Sequence, residues 1–421
     1  MSKKLKVLTL SDHPLSPSGV GSQTRYICDA LLKSGKFQII SLGGAIKHNN
    51  YSPVQVDPYG EDWRIIPVDG YGNPEMVRSI VRNERPDFVW LMTDPRFWEW
   101  LWQVENEIRP LCPMVYYHVW DNYPYPEYNK KFYESNDHVA CISKLSHDVV
   151  KTVAPNVNSS YVPHAVDTDI FKPTTEEGKA TLRRQNLPAE DRDKFIFFWN
   201  NRNARRKQSG SLIWWFAEWL DKYNLHDKAQ LIMHTDPKDV HGQDLEHIVR
   251  RLKLDKRQVM FSTQKVALEA MSAFYNLADC TINISDAEGF GLATLESLAC
   301  GTPIIATRTG GLQHQLGTKK SPTGIGIKPS SKAIIGSQQV PYIYEDRISQ
   351  EDFNRALSKI YNMPKHQRRK MGQNGRQYVM KNFNYQDFKN NWVQLMLDIH
   401  EKEGSWDTRT GYSNITFKEV A

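Results

Sequence analysis

The chain has few cysteines and lacks long apolar runs, and each shortage excludes a class of protein. Its five cysteines are widely spaced and form no C-x-x-C pair, which argues against a disulfide framework or a zinc site and indicates buried thiols. No segment approaches the roughly 18 to 20 apolar residues that span a bilayer. The apolar start, residues 7–10, is too short for a signal peptide. We therefore expect a soluble, cytoplasmic protein.

The chain also lacks a large excess of either positive or negative charge. The formal net charge of +6 fits anionic substrates such as nucleotides or nucleic acid, but a solvated surface of mixed charge explains it equally well. The chain is long, because 421 residues exceed the roughly 250 to 300 at which a single hydrophobic core stops growing. Two domains are therefore expected.

Strand and helix patterns alternate in both halves of the chain. Short apolar runs predict strands at 7–10, 37–42, 88–92, 114–118 and 139–142, and again at 195–199, 230–234, 258–262, 280–284 and 303–306. Helical patterns lie at 22–33, 96–108 and 144–153, and three more close the chain at 350–361, 365–381 and 385–400. This alternation predicts two α/β domains, each with a parallel sheet covered by helices.

The connection between the domains is predicted at residues 161–173, continuing as a polar stretch to 194, with a hinge near Pro173. The predicted bounds are 1–172 for the first domain, 173–384 for the second, and 385–421 for the closing helix and tail. Beyond Gly311 the Gly, Ser and Lys content predicts loops.

The most informative segment is 285–303, which begins S-D-A-E-G-F-G-L-A-T-L-E, follows a predicted strand and opens a helix. Gly289 and Gly291 would let the backbone approach a ligand at a helix N-terminus, where free N–H groups attract an anion such as a diphosphate. Glu288 and Glu296 can accept hydrogen bonds from sugar or ribose hydroxyls. Taken alone, two such glutamates are more often exposed charges.

A basic run with Arg202, Arg205, Arg206 and Lys207 directly follows the predicted strand 195–199. Cations held in place there would stabilise the negative charge that builds on a departing phosphate more than they stabilise the ground state. By itself, a basic run is more often a solvated face.

Together with residues 162–173, V-P-H-A-V-D-T-D-I-F-K-P, these segments resemble the retaining glycosyltransferases of family 4. The likeness lies in the E-x7-E signature, the arginine and lysine pair, and an interdomain sequence often written Asn-Gly-Val-Asp and Phe-x-Pro. His164 and Ala165 replace the usual Asn and Gly. Arg205 and Arg206 depart from the usual filler residues, so which arginine reaches the phosphates stays open, and the spacing favours Arg202.

The resemblance covers almost the whole chain and implies the GT-B fold, with two Rossmann-like domains whose parallel sheets face each other across a donor cleft. It implies an N-terminal acceptor domain, a C-terminal nucleotide-sugar donor domain, and a closing helix that crosses back to the first. Glu296 would bind the ribose, Glu288 the donor sugar, and Arg202 and Lys207 the diphosphate. The backbone near the sugar and diphosphate would be that of Gly289, Phe290, Gly291 and Leu292. No metal and no other cofactor is implied.

Two features of the N-terminal half are further site candidates. Gly19 and Gly21 lie between the first strand and helix, where the resemblance places them near the donor phosphates; a tight turn is the alternative. His118 ends a strand and resembles a family histidine that faces the donor sugar and acceptor; a structural histidine with satisfied hydrogen bonds is the alternative. The implied catalytic set is His118, Arg202, Lys207 and Glu288.

Aromatic residues are dense in the same half of the chain. Trp120, Asp121 and Tyr123 follow the strand that ends at His118 and are candidates for acceptor binding, because ligands of open α/β sheets lie at the carboxyl ends of strands. Trp98 and Trp102 could stack on sugars or bases, although packing in a core is the commoner role of such residues.

The expected activity is metal-independent, retaining transfer of a hexose or pentose from a UDP- or GDP-sugar to a hydroxyl of a glycan or small molecule. The chain also resembles glycosyltransferases of large tailed phages, which admits hydroxymethylated DNA bases as acceptor and the host cytoplasm as location. A non-catalytic nucleotide-sugar or carbohydrate-binding protein stays open, as does a GT-B-like epimerase, which the interdomain motif disfavours. The donor base, the sugar, the acceptor and the oligomeric state do not follow from the sequence.

Overall fold

Two structural units make up the protein, of which a computed structural model describes residues 3–412. The first unit comprises Met1–His164, Gly336–Tyr342 and Gln386–Ala421, and the second comprises Ala165–Ile335 and Ile343–Tyr385. The bounds predicted from the sequence are 172/173 and 384/385, whereas the units divide at 164/165 and 385/386, and the short segment 336–342 groups with the first unit.

The first unit is built on an eight-stranded sheet in the order β3-β4-β2-β1-β5-β6-β7-β8. All neighbouring strands are parallel except β3 and β4. The strands are β1 Leu5–Asp12, β2 Phe37–Gly44, β3 Val54–Val56, β4 Gly60–Pro67, β5 Phe88–Thr93, β6 Met114–His118, β7 His138–Cys141 and β8 Ser159–Tyr161. The helices are α1 Gly19–Lys33, α2 Pro74–Glu84, α3 Glu99–Trp102, α4 Glu105–Ile108, α5 Lys130–Glu134 and α6 Lys144–Val153.

Polar residues at the strand ends set where the helices of this unit begin. The Ser18 hydroxyl accepts a hydrogen bond from the Gly21 N–H at the start of α1. At the start of α6, Ser143 and Ser146 form a reciprocal capping box. Such caps satisfy N–H groups that the first helical turn leaves without a partner, so each helix starts at a defined position after its strand.

The second unit is built on a six-stranded, all-parallel sheet in the order β11-β10-β9-β12-β13-β14, with a separate antiparallel pair, β15 and β16. The strands are β9 Phe195–Asn200, β10 Ala229–His234, β11 Val259–Ser262, β12 Cys280–Asn283, β13 Ile304–Thr307, β14 Gly324–Ile327, β15 Ser331–Ile335 and β16 Ile343–Arg347. The helices are α7 Glu176–Asn186, α8 Ser209–Tyr223, α9 Leu245–Arg251, α10 Leu268–Leu277, α11 Leu292–Ala299, α12 Gln350–Tyr361 and α13 Lys365–Asn382.

The core of the second unit lies between the sheet and its helices. The central strand β9 reads F-I-F-F-W-N, and its first five residues are buried, as expected for a parallel strand covered on both faces. Phe197 packs edge-on against Trp219 of α8, with ring centroids 5.9 Å apart. A central strand this apolar fixes the position of the loop that follows it.

The last long helix, α14 Tyr385–Glu403, lies almost wholly in the first unit. Its buried Trp392 packs edge-on against Trp90, at 5.9 Å between centroids, and against Tyr117, at 4.8 Å. This contact joins the end of the chain to strands β5 and β6.

The strands and closing helices predicted from the sequence are confirmed within a few residues. Three expectations are wrong. The predicted helix 96–108 is broken into a short turn at Pro95–Phe97 followed by α3 and α4, because its aromatic residues are mediocre helix formers and the buried Trp98 and Trp102 take their positions from the core.

The polar stretch up to residue 194 is not a free connection. It contains α7, whose Arg183 donates to the Leu277 carbonyl at 2.8 Å and to Asp279 at 2.7 Å, so this helix is tied to the second unit. The region after Gly311, expected as loops, contains β14 and the β15–β16 pair. Strands β3 and β4 and helix α2 were not anticipated.

Candidate functional site

The two motifs of the second half meet at one point of the second sheet. Counted within that unit, the strand order is 3-2-1-4-5-6, in which the chain proceeds outward from β9 on one side and from β12 on the other. Ligands of open α/β sheets lie in the crevice at the carboxyl ends of the two strands where the order reverses. Residues 201–208 follow β9 and residues 284–291 follow β12, and the Asp286 N–H donates to the Arg206 carbonyl at 2.8 Å.

Lys207 and Glu288 form an ion pair at this edge. The Lys207 Nζ contacts the Glu288 carboxylate, and the two side chains are only 9% and 13% exposed. Burial would raise the pKa of Glu288, but the charges of Lys207 and Arg206 outweigh it and hold that pKa below its usual value. The glutamate is therefore ionised at neutral pH, and the lysine is a buried cation at the mouth of the crevice.

Arg202, in the same loop as Lys207, points to a different partner. Its guanidinium donates two hydrogen bonds to Asp239, at 2.6 and 3.2 Å, and its side chain is 61% exposed. Asp239 lies in the loop after β10. This bidentate pairing raises the pKa of Arg202 and lowers that of Asp239. The cation is held in place by a carboxylate that a phosphate group can replace.

The other two arginines of the basic run have different surroundings. The Arg205 guanidinium pairs with Glu345 of β16, whose side chain is almost fully buried. Arg206 donates to the Ala287 carbonyl at 3.5 Å, and its charge contributes to the low pKa of Glu288. Arg205 therefore neutralises a buried carboxylate, whereas Arg206 lies close to the Lys207–Glu288 pair.

The glycine-rich loop before α11 has a conformation that only glycine adopts readily. Gly291, at the N-cap of α11, has φ +90°, and a Cβ there would lie 2.5 Å from Leu312 Cδ2. The Gln315 side-chain amide donates to the carbonyls of Phe290 and Gly291, at 2.7 and 3.0 Å. These bonds hold the loop so that the first N–H groups of α11, beginning at Leu292, lie where an anion can bind.

Glu296 lies further along α11 and is held by Tyr275. The tyrosine hydroxyl donates to a Glu296 carboxylate oxygen at 2.6 Å and accepts from Asn200 Nδ2 at 2.9 Å. Burial raises the pKa of Glu296 to about 7, although the Tyr275 hydrogen bond acts in the opposite direction. The Tyr275 hydrogen bond uses only part of the acceptor capacity of this carboxylate, so ligand hydroxyl groups can also donate to it. A strongly shifted pKa in a crevice is typical of a functional residue.

Four side chains of this region were not anticipated as site residues. Asp239, Tyr275 and Glu345 lie in elements with no recognisable motif, so only the folded chain brings them to the basic run and the glutamates. Asp286 lies within the motif itself and accepts from Gln208 Nε2 at 2.6 Å, and burial raises its pKa to about 6. The position of this acidic residue, two residues before Glu288, could have identified it as a site candidate from the sequence.

The glycine pair of the first unit lies at the start of α1. Gly19 is the first residue of the helix and is exposed, whereas Gly21 is buried. A Cβ on Gly21 would lie 2.7 Å from the His13 carbonyl oxygen, so the turn leaves no room for a side chain. The tight-turn alternative explains Gly21, and the expectation of a donor contact at Gly19 stays a prediction.

His118 is fully buried in the first unit. Its Nδ1 is 3.2 Å from the Tyr116 hydroxyl and its Nε2 is 3.1 Å from the Tyr133 hydroxyl, so both ring nitrogens are satisfied. Burial lowers the pKa of His118 to about 3, which keeps the ring neutral. This geometry is that of the structural alternative, and a donor contact would require a neighbouring ring to move.

The acceptor candidates after β6 differ in their surroundings. Trp120 is buried, stacks on His118 and donates from Nε1 to the Asn122 carbonyl at 2.7 Å. Asp121 is partly exposed, as is Tyr123, whose hydroxyl donates to Asp148 at 2.8 Å. Of the three, Asp121 and Tyr123 are accessible to a ligand.

Three further features of the described chain concern metal ligands, membrane spans and cysteines. Within residues 3–412, His, Cys, Asp and Glu side chains do not assemble in threes as a metal site would require. None of the helices given above for that range is both long and apolar enough to cross a membrane. All five cysteines are buried thiols.

Part of the chain is similar in sequence to known proteins. Residues 180–336 match the family model described as glycosyl transferases group 1. The chain is 34% identical over 154 residues to the D-inositol 3-phosphate glycosyltransferase of Corynebacterium jeikeium, an alignment that covers 36% of each protein. It is 22% identical over 229 residues to the N-acetyl-alpha-D-glucosaminyl L-malate synthase of Bacillus anthracis, covering 54% of this chain and 56% of that protein. The chain thus spans about a third to a half of the length of these curated relatives.

Solved structures resemble the whole chain. Sucrose-phosphate synthase of Thermosynechococcus elongatus matches with a TM-score of 0.75 and 20% identity, over 95% of this chain and 100% of that one. Anabaena HepE in complex with UDP-glucose matches with a TM-score of 0.68 and 16% identity, over 94% of this chain and 100% of that one. Identities this low show the fold alone. The predicted GT-B fold with two Rossmann-like domains is thereby confirmed, and residues 180–336 are similar in sequence to the glycosyl transferases group 1.

Proposed function

We propose that the chain is a glycosyltransferase that moves a hexose or pentose from a nucleotide sugar, a UDP- or GDP-sugar, to a hydroxyl of a glycan or small molecule. Transfer retains the anomeric configuration and needs no metal ion. The observation that carries the proposal is the meeting of the basic run after β9 with the glutamate and glycine segment after β12. Both lie in the segment that matches the group 1 family.

The donor diphosphate is assigned to the two cations of the loop after β9. Lys207 is paired with Glu288, and Arg202 with Asp239, so both have carboxylate partners that phosphate oxygens can replace. As the bond between the sugar and the diphosphate breaks, negative charge grows on the leaving oxygen. Cations already held in place stabilise that charge without further reorganisation, and the loss of one such contact typically costs about 3 kcal/mol.

The hydroxyl groups of the donor are assigned to the two glutamates. Glu296, partly buried on α11 and held by Tyr275, accepts from the ribose hydroxyls. Glu288, ionised beside Lys207, accepts from a sugar hydroxyl. The N–H groups at the start of α11 face the diphosphate between them. The ribose, the diphosphate and the sugar of a nucleotide sugar are thus each assigned a partner on this edge of the sheet.

Retention follows from attack on the side of the sugar from which the diphosphate leaves. The acceptor oxygen forms the new bond to the anomeric carbon, the bond to the phosphate oxygen breaks, and the hydroxyl proton passes to that phosphate. This route needs no covalent carboxylate nucleophile. Relatives named for D-inositol 3-phosphate and L-malate support a small hydroxyl compound as acceptor, and the UDP-glucose complex of HepE supports a UDP-sugar as donor.

The test is release of nucleoside diphosphate, followed by mass spectrometry, from a panel of UDP-, GDP- and ADP-sugars. Acceptors are small polyols, simple glycans and hydroxymethylated duplex DNA, each with and without EDTA. Release with one donor that depends on one acceptor, with a matching mass gain, supports the proposal, and NMR of the product reports the anomeric configuration. A mass gain on DNA alone would replace the small-molecule acceptor by a modified base.

Lys207→Gln and Lys370→Gln are a matched pair of controls. Both remove one positive charge from the second unit, but Lys370 is exposed on α13, away from the residues assigned to the donor. Turnover should fall at least a hundredfold in the first and stay unchanged in the second. Nucleotide binding without release from any donor would favour the non-catalytic binding protein instead.

A further inference from the structure

A second concave site lies in the second unit, at the opposite edge of its sheet from the residues assigned to the donor. A cavity of about 770 Å³ is lined by the segments just before β12 and β13, by the start of α7 and by one face of α13. Asp279 and Pro303 each immediately precede a strand, whereas Glu288 follows one. The cavity is therefore distinct from the crevice at the carboxyl ends of β9 and β12.

The lining of this cavity is strongly basic. It includes Lys179, Lys365, Arg368, Arg369 and Arg376, against only two acidic side chains. Helix α13 supplies four of the five, and its 18 residues, K-H-Q-R-R-K-M-G-Q-N-G-R-Q-Y-V-M-K-N, include no aspartate or glutamate. One face of a single helix thus concentrates positive charge over a concave surface.

Glycine contacts hold this helix in a defined position. A Cβ on Gly372 would lie 1.9 Å from the Gly301 carbonyl oxygen, so the backbone of α13 rests directly on the turn after α11. Arg376 donates to the carbonyls of Phe171 and Ala299, at 2.7 and 3.0 Å. The wall of the cavity is therefore anchored by the contact between Gly372 and Gly301 and by Arg376, and it does not depend on Lys365 or Arg369.

One carboxylate already occupies the basic face. Glu176, in the first turn of α7, accepts from Lys365 Nζ at 2.6 Å and from Arg369 at 2.5 Å through its two oxygens. All three side chains are half exposed or more. Hydrogen bonds from Lys365 and Arg369 hold the pKa of Glu176 below its usual value, even though partial burial opposes them. An exposed carboxylate bridging two cations is a contact that a more highly charged anion can displace.

We propose that this cavity binds a small phosphorylated molecule, whose phosphate exchanges with the Glu176 carboxylate on Lys365 and Arg369. Phosphate offers more charge and more acceptor oxygens than a carboxylate, and arginine suits it because the guanidinium binds two oxygens at once. The volume lies within the range of about 300 to 1,000 Å³ typical of small-ligand sites. Concavity favours a small molecule over a polymer, which needs an extended surface.

The experiment is isothermal titration calorimetry of the full chain with two probes, inorganic phosphate and fructose bisphosphate. They distinguish free phosphate from a phosphorylated metabolite as the source of the anion. Replacing both cations, Lys365→Gln with Arg369→Gln, should weaken binding at least tenfold, roughly the value of a hydrogen bond to a charged group. Glu176→Gln should strengthen binding roughly fivefold, because the competing carboxylate is lost.

Two control variants locate the bound probe. Lys370→Gln removes an exposed charge from the same helix outside the cavity and should leave the affinity unchanged. Lys207→Gln with Glu288→Gln alters the donor crevice and should also leave it unchanged. Binding that depends on Lys370 as strongly as on Arg369 would mean a diffuse electrostatic surface. Binding lost with the Lys207 and Glu288 changes would place the probe at the donor site. Either result, or indifference to Glu176→Gln, would overturn the inference.

Discussion

Replacing Glu296 by glutamine should stabilise the protein above about pH 7 while weakening its hold on a nucleotide. The glutamate lies on α11 with its carboxylate against the Tyr275 hydroxyl, at 2.6 Å. Burial raises its pKa from 4.5 to about 7. The folded chain therefore holds this proton at pH values where the unfolded chain has released it.

The sign and size of the effect follow from that difference. Between about pH 4.5 and pH 7 the folded state binds more protons than the unfolded state, so the free energy of unfolding falls as the pH rises through this window. Full ionisation in the folded chain costs about 3 kcal/mol by this shift. The side chain keeps partial solvent contact, which screens part of the cost, so about 2 kcal/mol is expected.

The assay is thermal unfolding of the parent and Glu296→Gln proteins at several pH values from about 5 to 8. Glutamine keeps the shape and can still accept from Tyr275, but it never ionises. The two proteins should unfold at similar temperatures near pH 5 and differ by roughly 4 to 8 °C near pH 8, with the variant more stable. Glu351→Gln, on the exposed face of α12, is the control and should show no such pH-dependent difference.

Nucleotide binding supplies the second half of the prediction. An amide accepts hydroxyl hydrogen bonds less strongly than a carboxylate, so nucleoside diphosphate affinity should fall roughly tenfold or more in Glu296→Gln. A residue that costs stability and contributes binding is typical of a functional site. The reasoning is refuted if the variant gains no stability near pH 8 relative to pH 5, because the carboxylate would then ionise without penalty.

Three further outcomes are expected. Lys207→Gln leaves Glu288 buried without its cation and should lower the free energy of unfolding by about 3 kcal/mol in denaturant titrations. Adding Glu288→Gln should restore stability but not turnover. Restored turnover would contradict the assignment of Lys207 to the phosphates. Asp239→Asn releases Arg202 and should tighten nucleoside diphosphate binding roughly threefold to fivefold in calorimetry, whereas weaker binding would mean that Asp239 positions the arginine. The ring of His118, with its pKa lowered to about 3 by burial, should show no NMR titration between about pH 5 and pH 9, and a midpoint near 6.5 would show an accessible histidine.

The positions of most residues that we assign to the donor were predictable because these residues follow buried strands. The apolar run of β9 ends at Trp199 and the strand ends at Asn200, so Arg202 and Lys207 must lie in the loop at its carboxyl end. The same holds for Glu288 after β12, and the φ of +90° at Gly291 explains why the helix that carries Glu296 starts after a glycine. Local sequence determines these positions because strand ends and helix caps depend on neighbouring residues.

Side-chain roles in the first unit were less predictable because they depend on contacts between residues and not only on position after a strand. His118 ends a buried strand and Trp120 follows it, as ligand-binding residues would, but whether the His118 side chain faces a ligand or the core depends on Tyr116 and Tyr133. Helix α7 was missed because its residues are strongly polar and none of its side chains is buried. Its docking rests on Arg183 and Asp279, which are nearly a hundred residues apart.

The amino-acid sequence alone determined the α/β class with two domains, the order of strands and helices along most of the chain, and the two segments to which we assign the donor. Only the tertiary structure decided which strands are neighbours, and so that β9 and β12 bring those segments together. It also decided the partners of each charge, Asp239 for Arg202 and Glu345 for Arg205, and assembled a basic cavity from α7, α13 and the turns before β12 and β13. The physical reason is the same in each case: periodicity and capping act over a few residues, whereas ion pairs and cavities form between segments that only the packed core brings into contact.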